Sequence, residues 1–299
     1  MCGIVGIFNK NKDLNKNLGK MLGAMLVEMS ERGPDSAGVA IYGSDVGAGR
    51  SKLTLYSADP GFNWDALVSE VADLGDPHST IRIRASHAVI TTGIARHEFQ
   101  QWLKQNHPHI RVMSAGNSIE IYKEMGAPRT FAERFRLQDF EGSHALGHTR
   151  MATESAVTTE HSHPFSTGMD LCLVHNGSLS NHNRLREQLI HKGIEFQTDN
   201  DSEVAAGYLT WRMAEGDSLE EGLHRALEDL DGFYTFAVGT HDGFAVLRDP
   251  IACKPAVMAE TDDWVAMASE FRAIAQLPGV EDARIWEPEP ATVYYWGAS

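Results

Sequence analysis

A cysteine directly follows the initiator methionine. Once Met1 is clipped, Cys2 carries a thiol nucleophile and a free α-amine on one residue. The amine, with an ordinary pKa of about 8, can take the thiol proton directly or through a water. The plainer reading is an N-terminal core strand with a chance cysteine. Other stretches hold side chains of matching chemistry. Gly147-His148-Thr149-Arg150 puts a guanidinium at the end of a strand, a natural bidentate grip for a carboxylate. His175-Asn176-Gly177 sets a side-chain amide beside a glycine N–H, which suits a developing oxyanion. Thr198-Asp199-Asn200-Asp201-Ser202-Glu203 gathers carboxylates at a helix start, where they either cap the helix or hold a substrate ammonium. Arg32-Gly33-Pro34-Asp35-Ser36-Ala37-Gly38 reads as a tight turn entering a strand.

These residues need rigid supports, and the hydrophobic pattern supplies them. Ile4-Val5-Gly6-Ile7-Phe8 is a short apolar, β-rich run that reads as a buried strand behind Cys2. Leu14, Leu18, Met21, Leu22, Met25, Leu26 and Met29 recur at helical spacing, and Gly33-Pro34 stops that helix. Its methionines suit a core face or a binding face. Residues 57–142 change character and read as an inserted α+β subdomain suited to docking or cover. Within it, Ile110-Arg111-Val112-Met113 and Ser118-Ile119-Glu120-Ile121-Tyr122 are expected to form a hairpin. Beyond it, Leu171-Cys172-Leu173-Val174 is a short strand and helices follow. One of these starts at Ser218 with Glu221 three residues on, a capping box.

Composition narrows the class. The 299 residues suffice for one large domain or two small ones, and 42% hydrophobic with 22% charged residues is ordinary globular material. A formal net charge of −15 argues against nucleic acid or an anionic membrane as partner. Cys2, Cys172 and Cys253 form no CxxC pair, which fits a reducing, cytoplasmic setting. No apolar run approaches the roughly 18 residues of a membrane helix. His161-Ser162-His163 invites a metal reading, but no cysteine or carboxylate pattern completes a site; no metal or cofactor is expected.

Taken in order, the blocks Met1-Cys2-Gly3-Ile4-Val5-Gly6, Arg32 to Gly38, Gly147-His148-Thr149-Arg150, His175-Asn176-Gly177 and Asp199 to Glu203 resemble the class II glutamine amidotransferases, the N-terminal-nucleophile (Ntn) glutaminases. His163-Pro164 matches a family block too. The resemblance implies one amidotransferase domain over 2–299, an α+β fold built as a four-layer α/β/β/α sandwich of two antiparallel sheets. It implies that Cys2 attacks the amide carbon of L-glutamine, that Asn176 and the Gly177 N–H stabilise the oxyanion, and that Arg150 holds the substrate carboxylate and Asp201 its ammonium. Arg32 and Thr153 would complete the substrate site. Met151 stands where relatives usually have an aromatic, and Glu154 where many have histidine. Both bear on the lid of the glutamine pocket.

The whole chain is similar to the detached glutaminase-like subunits of glutamate-synthase and N-methylglutamate-synthase systems. That narrower resemblance implies a separate, ammonia-consuming synthase subunit carrying any flavin or iron–sulfur cluster, since the chain reaches Ser299 without room for a synthase domain. The alternatives are a stand-alone Ntn amidase acting on another γ-glutamyl amide, and a non-catalytic scaffold or regulatory subunit.

Overall fold

The computed structural model describes residues 2–151 and 157–297. β1 (Gly3–Asn9) leads through a 3₁₀ turn into α1 (Leu18–Glu28), and β2 (Ser36–Tyr42) follows. The next run is β3 (Ser51–Tyr56), α2 (Trp64–Asp73), β4 (Thr80–Arg84), β5 (His87–Thr92), α3 (Arg96–Asn106) and β6 (Arg111–Gly116). Then come β7 (Ile119–Met125), α4 (Pro128–Arg134), β8 (His144–Arg150) and β9 (Cys172–Leu179). Three helices follow, α5 (His182–His191), α6 (Asp201–Ala214) and α7 (Leu219–Asp229). The chain closes with β10 (Gly232–Thr240), β11 (Gly243–Arg248), β12 (Val257–Glu260), β13 (Trp264–Ala268), α8 (Phe271–Ile274), β14 (Arg284–Trp286) and β15 (Thr292–Gly297).

One antiparallel sheet runs β14-β12-β13-β1-β8-β2-β7, and a second runs β15-β11-β10-β9. They face each other, and the strand alternation shows why. Ile4 and Phe8 of β1 join Ala40, Leu146, Val174, Phe244, Val246 and Met267 in a core between the sheets. Val5 and Ile7 point the other way, onto Leu18, Met21, Leu22, Met25 and Leu26 of α1. Leu173, Phe236, Val238 and Leu247 likewise pack outward on Leu185, Val204, Leu209 and Leu223 of α5, α6 and α7. With both faces covered, a strand must be apolar at successive positions, which accounts for the unbroken Ile-Val-Gly-Ile-Phe run. The result is the expected four-layer α/β/β/α arrangement, and the methionines of α1 are core. The capping box of α7 is present: the Ser218 hydroxyl accepts from Glu221 N and the Glu221 carboxylate from Ser218 N.

A third sheet, β4-β5-β3-β6, has its own core of Leu53, Leu55, Trp64, Leu67, Phe99 and Leu103 under α2 and α3. It spans 51–116 and does not coincide with the expected 57–142 insertion. The expected hairpin is corrected: β6 pairs with β3 in the third sheet, whereas β7 pairs with β2 in the main one. The cause is visible at the connection between them. The buried Asp170 carboxylate accepts the backbone N–H groups of Asn117, Ser118 and Ile119, which answers donors a hairpin would have used. Ile119 and Ile121 then enter the core between the sheets while Tyr122 packs on the α1 side. Among the described residues, no helix is long and apolar enough to cross a membrane.

Candidate active site

Cys2 sits at the head of β1, a central strand flanked by β13 and β8, and is partly exposed. The strand is pinned just behind it, where Ile4 N donates to Ser269 Oγ (2.9 Å) and Ser269 N to Ile4 O (2.9 Å). Two side chains donate to the Cys2 carbonyl oxygen: Arg32 Nε at 3.1 Å and Asn176 Nδ2 at 3.4 Å. Cys2, the turn after α1 and the end of β9 therefore meet at one point. These are residues 2, 32 and 176, far apart in sequence.

Arg32 faces the back of this junction. Its Nη1 reaches Glu270 Oε1 at 2.6 Å, and Glu270 also takes Arg272 Nε at 2.8 Å. These partners hold the Glu270 carboxyl below its ordinary range, the hydrogen bond from Arg32 being the largest cause. Two arms of the Arg32 guanidinium are thus committed to the Cys2 backbone and Glu270. That geometry holds the start of β1 and leaves Nη2 of Arg32 buried without a partner.

Arg150 ends β8 and is 95% buried, with its carbonyl accepting from Asp35 N at 3.0 Å. The turn after α1 presses so closely on this strand end that a Cβ on Gly33 would lie 2.3–2.4 Å from the Thr149 and Arg150 backbone. Only glycine fits there. Thr153 and Glu154 lie outside the described residues; Met151 is exposed.

Asn176 and Gly177 lie near the end of β9, opposite Thr235 and Tyr234 of β10. Gly177 has φ +148°, and a Cβ on it would meet Phe233 O at 1.9 Å. Both conformation and space demand glycine, so the backbone here takes a path that a side chain would forbid.

Asp201 is the first residue of α6, yet it does not cap the helix. Asn200 does, its side chain accepting from Ser202 N at 2.8 Å. Glu203 folds back to accept from Gln197 N, Thr198 N and Thr198 Oγ1, each at 2.8 Å. Asp201 instead reaches across to β9, where Oδ2 accepts from Leu179 N at 2.9 Å. This brings its carboxylate two residues beyond Gly177 on the same strand. Of the two readings open at this helix start, the capping one is answered by its neighbours.

Sequence reasoning gave no role to the buried imidazoles beside this carboxylate. His175 Nδ1 and His163 Nε2 lie 2.9 Å and 2.8 Å from Ser202 Oγ, and His148 stacks on His163 with ring centroids 4.0 Å apart. Burial drives the imidazolium pKa down in all three, to about 3 for His148. Two of them had a clue in the sequence: His148 and His175 stand inside the blocks Gly147-His148-Thr149-Arg150 and His175-Asn176-Gly177. His161, two residues from His163, instead meets Thr158 and the exposed Asp199, so the pair does not converge. Among the described residues, no group of three or more His, Cys, Asp or Glu is placed to hold a metal ion.

A cavity of ≈ 190 Å³ lies beside the start of α6 and is lined in part by Lys123, Phe165, Thr198 and Glu203. Lys123 Nζ is already engaged by the carbonyls of Glu160, Ser162 and Pro164, and Glu203 by the N–H groups above. Its buried charges are answered within the protein, and Cys2, Arg150 and Asn176 do not line it.

Comparison with known proteins agrees with this geometry. A family model described as a glutamine amidotransferase domain matches residues 148–276. The glutamine amidotransferase-like protein GlxB of Rhizobium meliloti is 56% identical over 297 residues, covering 99% of this chain and 98% of that protein. A putative glutamine amidotransferase of Methanothermobacter thermautotrophicus is 34% identical, covering 98% and 99%. Among solved structures, the glutamine phosphoribosylpyrophosphate amidotransferase of B. subtilis matches with a TM-score of 0.60 at 21% identity. That match covers 99% of this chain and 47% of the other, so the chain spans about half the length of that structure and the likeness speaks for the fold. With more than half its residues shared with a relative along nearly its whole length, the chain belongs to the class II, Ntn-type glutamine amidotransferases.

Proposed function

We propose that this enzyme hydrolyses L-glutamine through a γ-glutamyl thioester on Cys2 and passes the ammonia to a separate synthase subunit of glutamate-synthase type. The carrying observation is the convergence of Asn176 Nδ2 and Arg32 Nε on the Cys2 carbonyl, which fixes the nucleophile beside the Asn176-Gly177 pair. After removal of Met1, the Cys2 α-amine accepts the thiol proton and the thiolate attacks the amide carbon. The carbonyl π electrons move onto oxygen, and the second Asn176 N–H and the Gly177 N–H answer the charge; one such donor is worth roughly 3 kcal/mol. The amine returns its proton to the departing nitrogen and ammonia leaves. Water then attacks the thioester and glutamate is released. Arg150 serves the substrate α-carboxylate together with Thr153, and Asp201 serves the α-ammonium. Arg32 acts from behind, through the Cys2 backbone.

Support for a consumer on another chain comes from the two relatives covered over 98% and 99% of their own lengths, which this domain nearly fills. Intact mass before and after treatment with a diazo-ketone analogue of glutamine tests the chemistry. The expected result is loss of Met1 and one adduct mapping to Cys2. No adduct, or an adduct on the exposed Cys253, would overturn it. Co-purification of the tagged protein with an ammonia-consuming subunit tests the transfer; glutamine turnover with no such subunit bound favours a stand-alone amidase.

A further inference from the structure

The imidazole cluster under α6 has a hydrogen-bond count that admits one favourable assignment. Ser202 is buried, and its Oγ has three polar neighbours: His163 Nε2 at 2.8 Å, His175 Nδ1 at 2.9 Å and Asp201 Oδ1 at 3.3 Å. A serine hydroxyl has one proton and two lone pairs. The carboxylate oxygen only accepts, so the proton goes to Asp201 and both imidazoles donate to Ser202. His163 is then the Nε2–H tautomer and His175 the Nδ1–H tautomer. Their other nitrogens, His163 Nδ1 and His175 Nε2, are both buried without a partner. Under this assignment they carry bare lone pairs; the reverse would bury unpaired N–H groups, a costlier and rarer state. His148 Nε2 donates to the His175 carbonyl at 3.1 Å, which fixes the third tautomer and props the ring stacked on His163.

We propose that Ser202, held by the neutral imidazoles of His163 and His175, is a positioning residue that aims the Asp201 carboxylate at the α-ammonium of the amide substrate. The assignment rests on the reading of Asp201 as the ammonium ligand. Leu179 N–H holds Oδ2 and the Ser202 hydroxyl holds Oδ1, so both oxygens are fixed while each keeps a lone pair for substrate. Neutral donors are what this role requires. A cationic imidazole 3.8 Å from Oδ1 would compete with the substrate ammonium for the same oxygen.

The test uses the full-length protein and the rate at which Cys2 is alkylated by two diazo-ketones: the glutamine analogue, and its counterpart lacking the α-amino group. Ser202→Ala should slow alkylation by the amino-acid probe about 10-fold, the worth of a charge-assisted contact. The loss should lie in probe affinity, with the limiting rate held within about 3-fold. The des-amino probe should change less than about 2-fold. In an Asp201→Asn background, Ser202→Ala should add less than about 2-fold. Ser202→Thr keeps the hydroxyl and should keep the discrimination, which separates positioning from misfolding. Equal losses with both probes, or none, would overturn the proposal. If Asp201→Asn abolishes the preference for the amino-acid probe and Ser202→Ala does not, only the Ser202 assignment falls. If Asp201→Asn leaves that preference intact, the ammonium reading of Asp201 falls and Ser202 with it. A wild-type Cys2 that reacts with neither probe removes the proposed function altogether.

Discussion

The two sides of the site are held in different ways. On the side of Cys2, Arg32, Glu270, Arg272 and Glu31 form a chain of ion pairs at the surface, with the Cys2 carbonyl at its inner end. On the side of Asp201, the supports are neutral: three buried imidazoles and a serine hydroxyl. Water explains the difference. Glu270 and Arg272 are about one-third exposed, so charge there is hydrated and ion pairs cost little. Beneath α6 the imidazoles and Ser202 are buried, and charging such an imidazole costs its hydration. Protonation makes the neutral set fragile where the ionic set is robust, and each side can be tested on that ground.

The largest effect should come from the point where the two sides meet. Cys2→Ala removes the nucleophile and should abolish glutaminase turnover, a loss of at least about 10³-fold. Full activity in this variant, measured as glutamate released, would end the thioester mechanism. Asn176→Ala should cost about 10²-fold in kcat with a smaller change in KM, as expected for a donor used only on the oxyanion. A pure KM effect would assign Asn176 to holding the ground state instead.

Much of this site was legible because its chemistry is carried by blocks of adjacent residues. Asn176-Gly177 and Asp201 announced themselves by type, and the structure brings them to one strand end. The second contact of Arg32 could not be read, because nothing local in Arg32-Gly33-Pro34 points to Glu270, 238 residues away. The Ser202 cluster has the same character. Its members come from β8, the segment before β9, β9 itself and α6, and only the fold makes them neighbours. In the fold, an unbroken apolar run was enough to infer β1, and hydrophobic periodicity the helices. It misled at β6 and β7, where two strands five residues or more in length and two residues apart look like a hairpin. What divides them is Asp170, a single carboxylate 51–53 residues downstream. β3 went unread, although Leu53 and Leu55 alternate as the face it turns to the core of the third sheet.

Lowering the pH should separate the two sides. In the unfolded chain a histidine titrates near 6.5, while burial pushes the folded pKa values of His148, His163 and His175 below that. The unfolded state therefore binds more protons in this window, and stability falls as pH falls. His87 and His144, held down to about 3 and about 4, act in the same direction. Between pH 6.5 and 5.5 each histidine held down to about 3 or 4, namely His87, His144 and His148, contributes a loss of about 1 kcal/mol, so about 3 kcal/mol for the three, and His163 and His175 act in the same direction. Glu270 runs on another scale. Its depressed folded pKa gives stability that is present above the ordinary glutamate range and lost only as pH falls below that range, through the lower folded pKa. Urea denaturation at pH 7.5, 6.5 and 5.5 should show the histidine-linked loss. A stability flat over that range would mean that the folded imidazoles take up protons as readily as those of the unfolded chain.

The smallest effect should come from the outer end of the ionic side. Glu270→Gln keeps the shape and one acceptor for Arg32 but removes the charge, at a place where solvent already screens it. Turnover should fall by less than about 5-fold, and raising the salt concentration should narrow the gap between variant and wild type. Arg32→Lys reaches deeper. Lysine has one terminal nitrogen where the guanidinium uses Nε on the Cys2 carbonyl and Nη1 on Glu270 simultaneously, so it satisfies one partner and releases the other. Its loss in kcat should exceed that of Glu270→Gln and should not shrink with salt, because the contact it gives up is a hydrogen bond to the nucleophile's own backbone. Equal, salt-sensitive losses in the two variants would show Arg32 acting by charge alone, and the contrast between the two sides of the site would then be one of solvent exposure only.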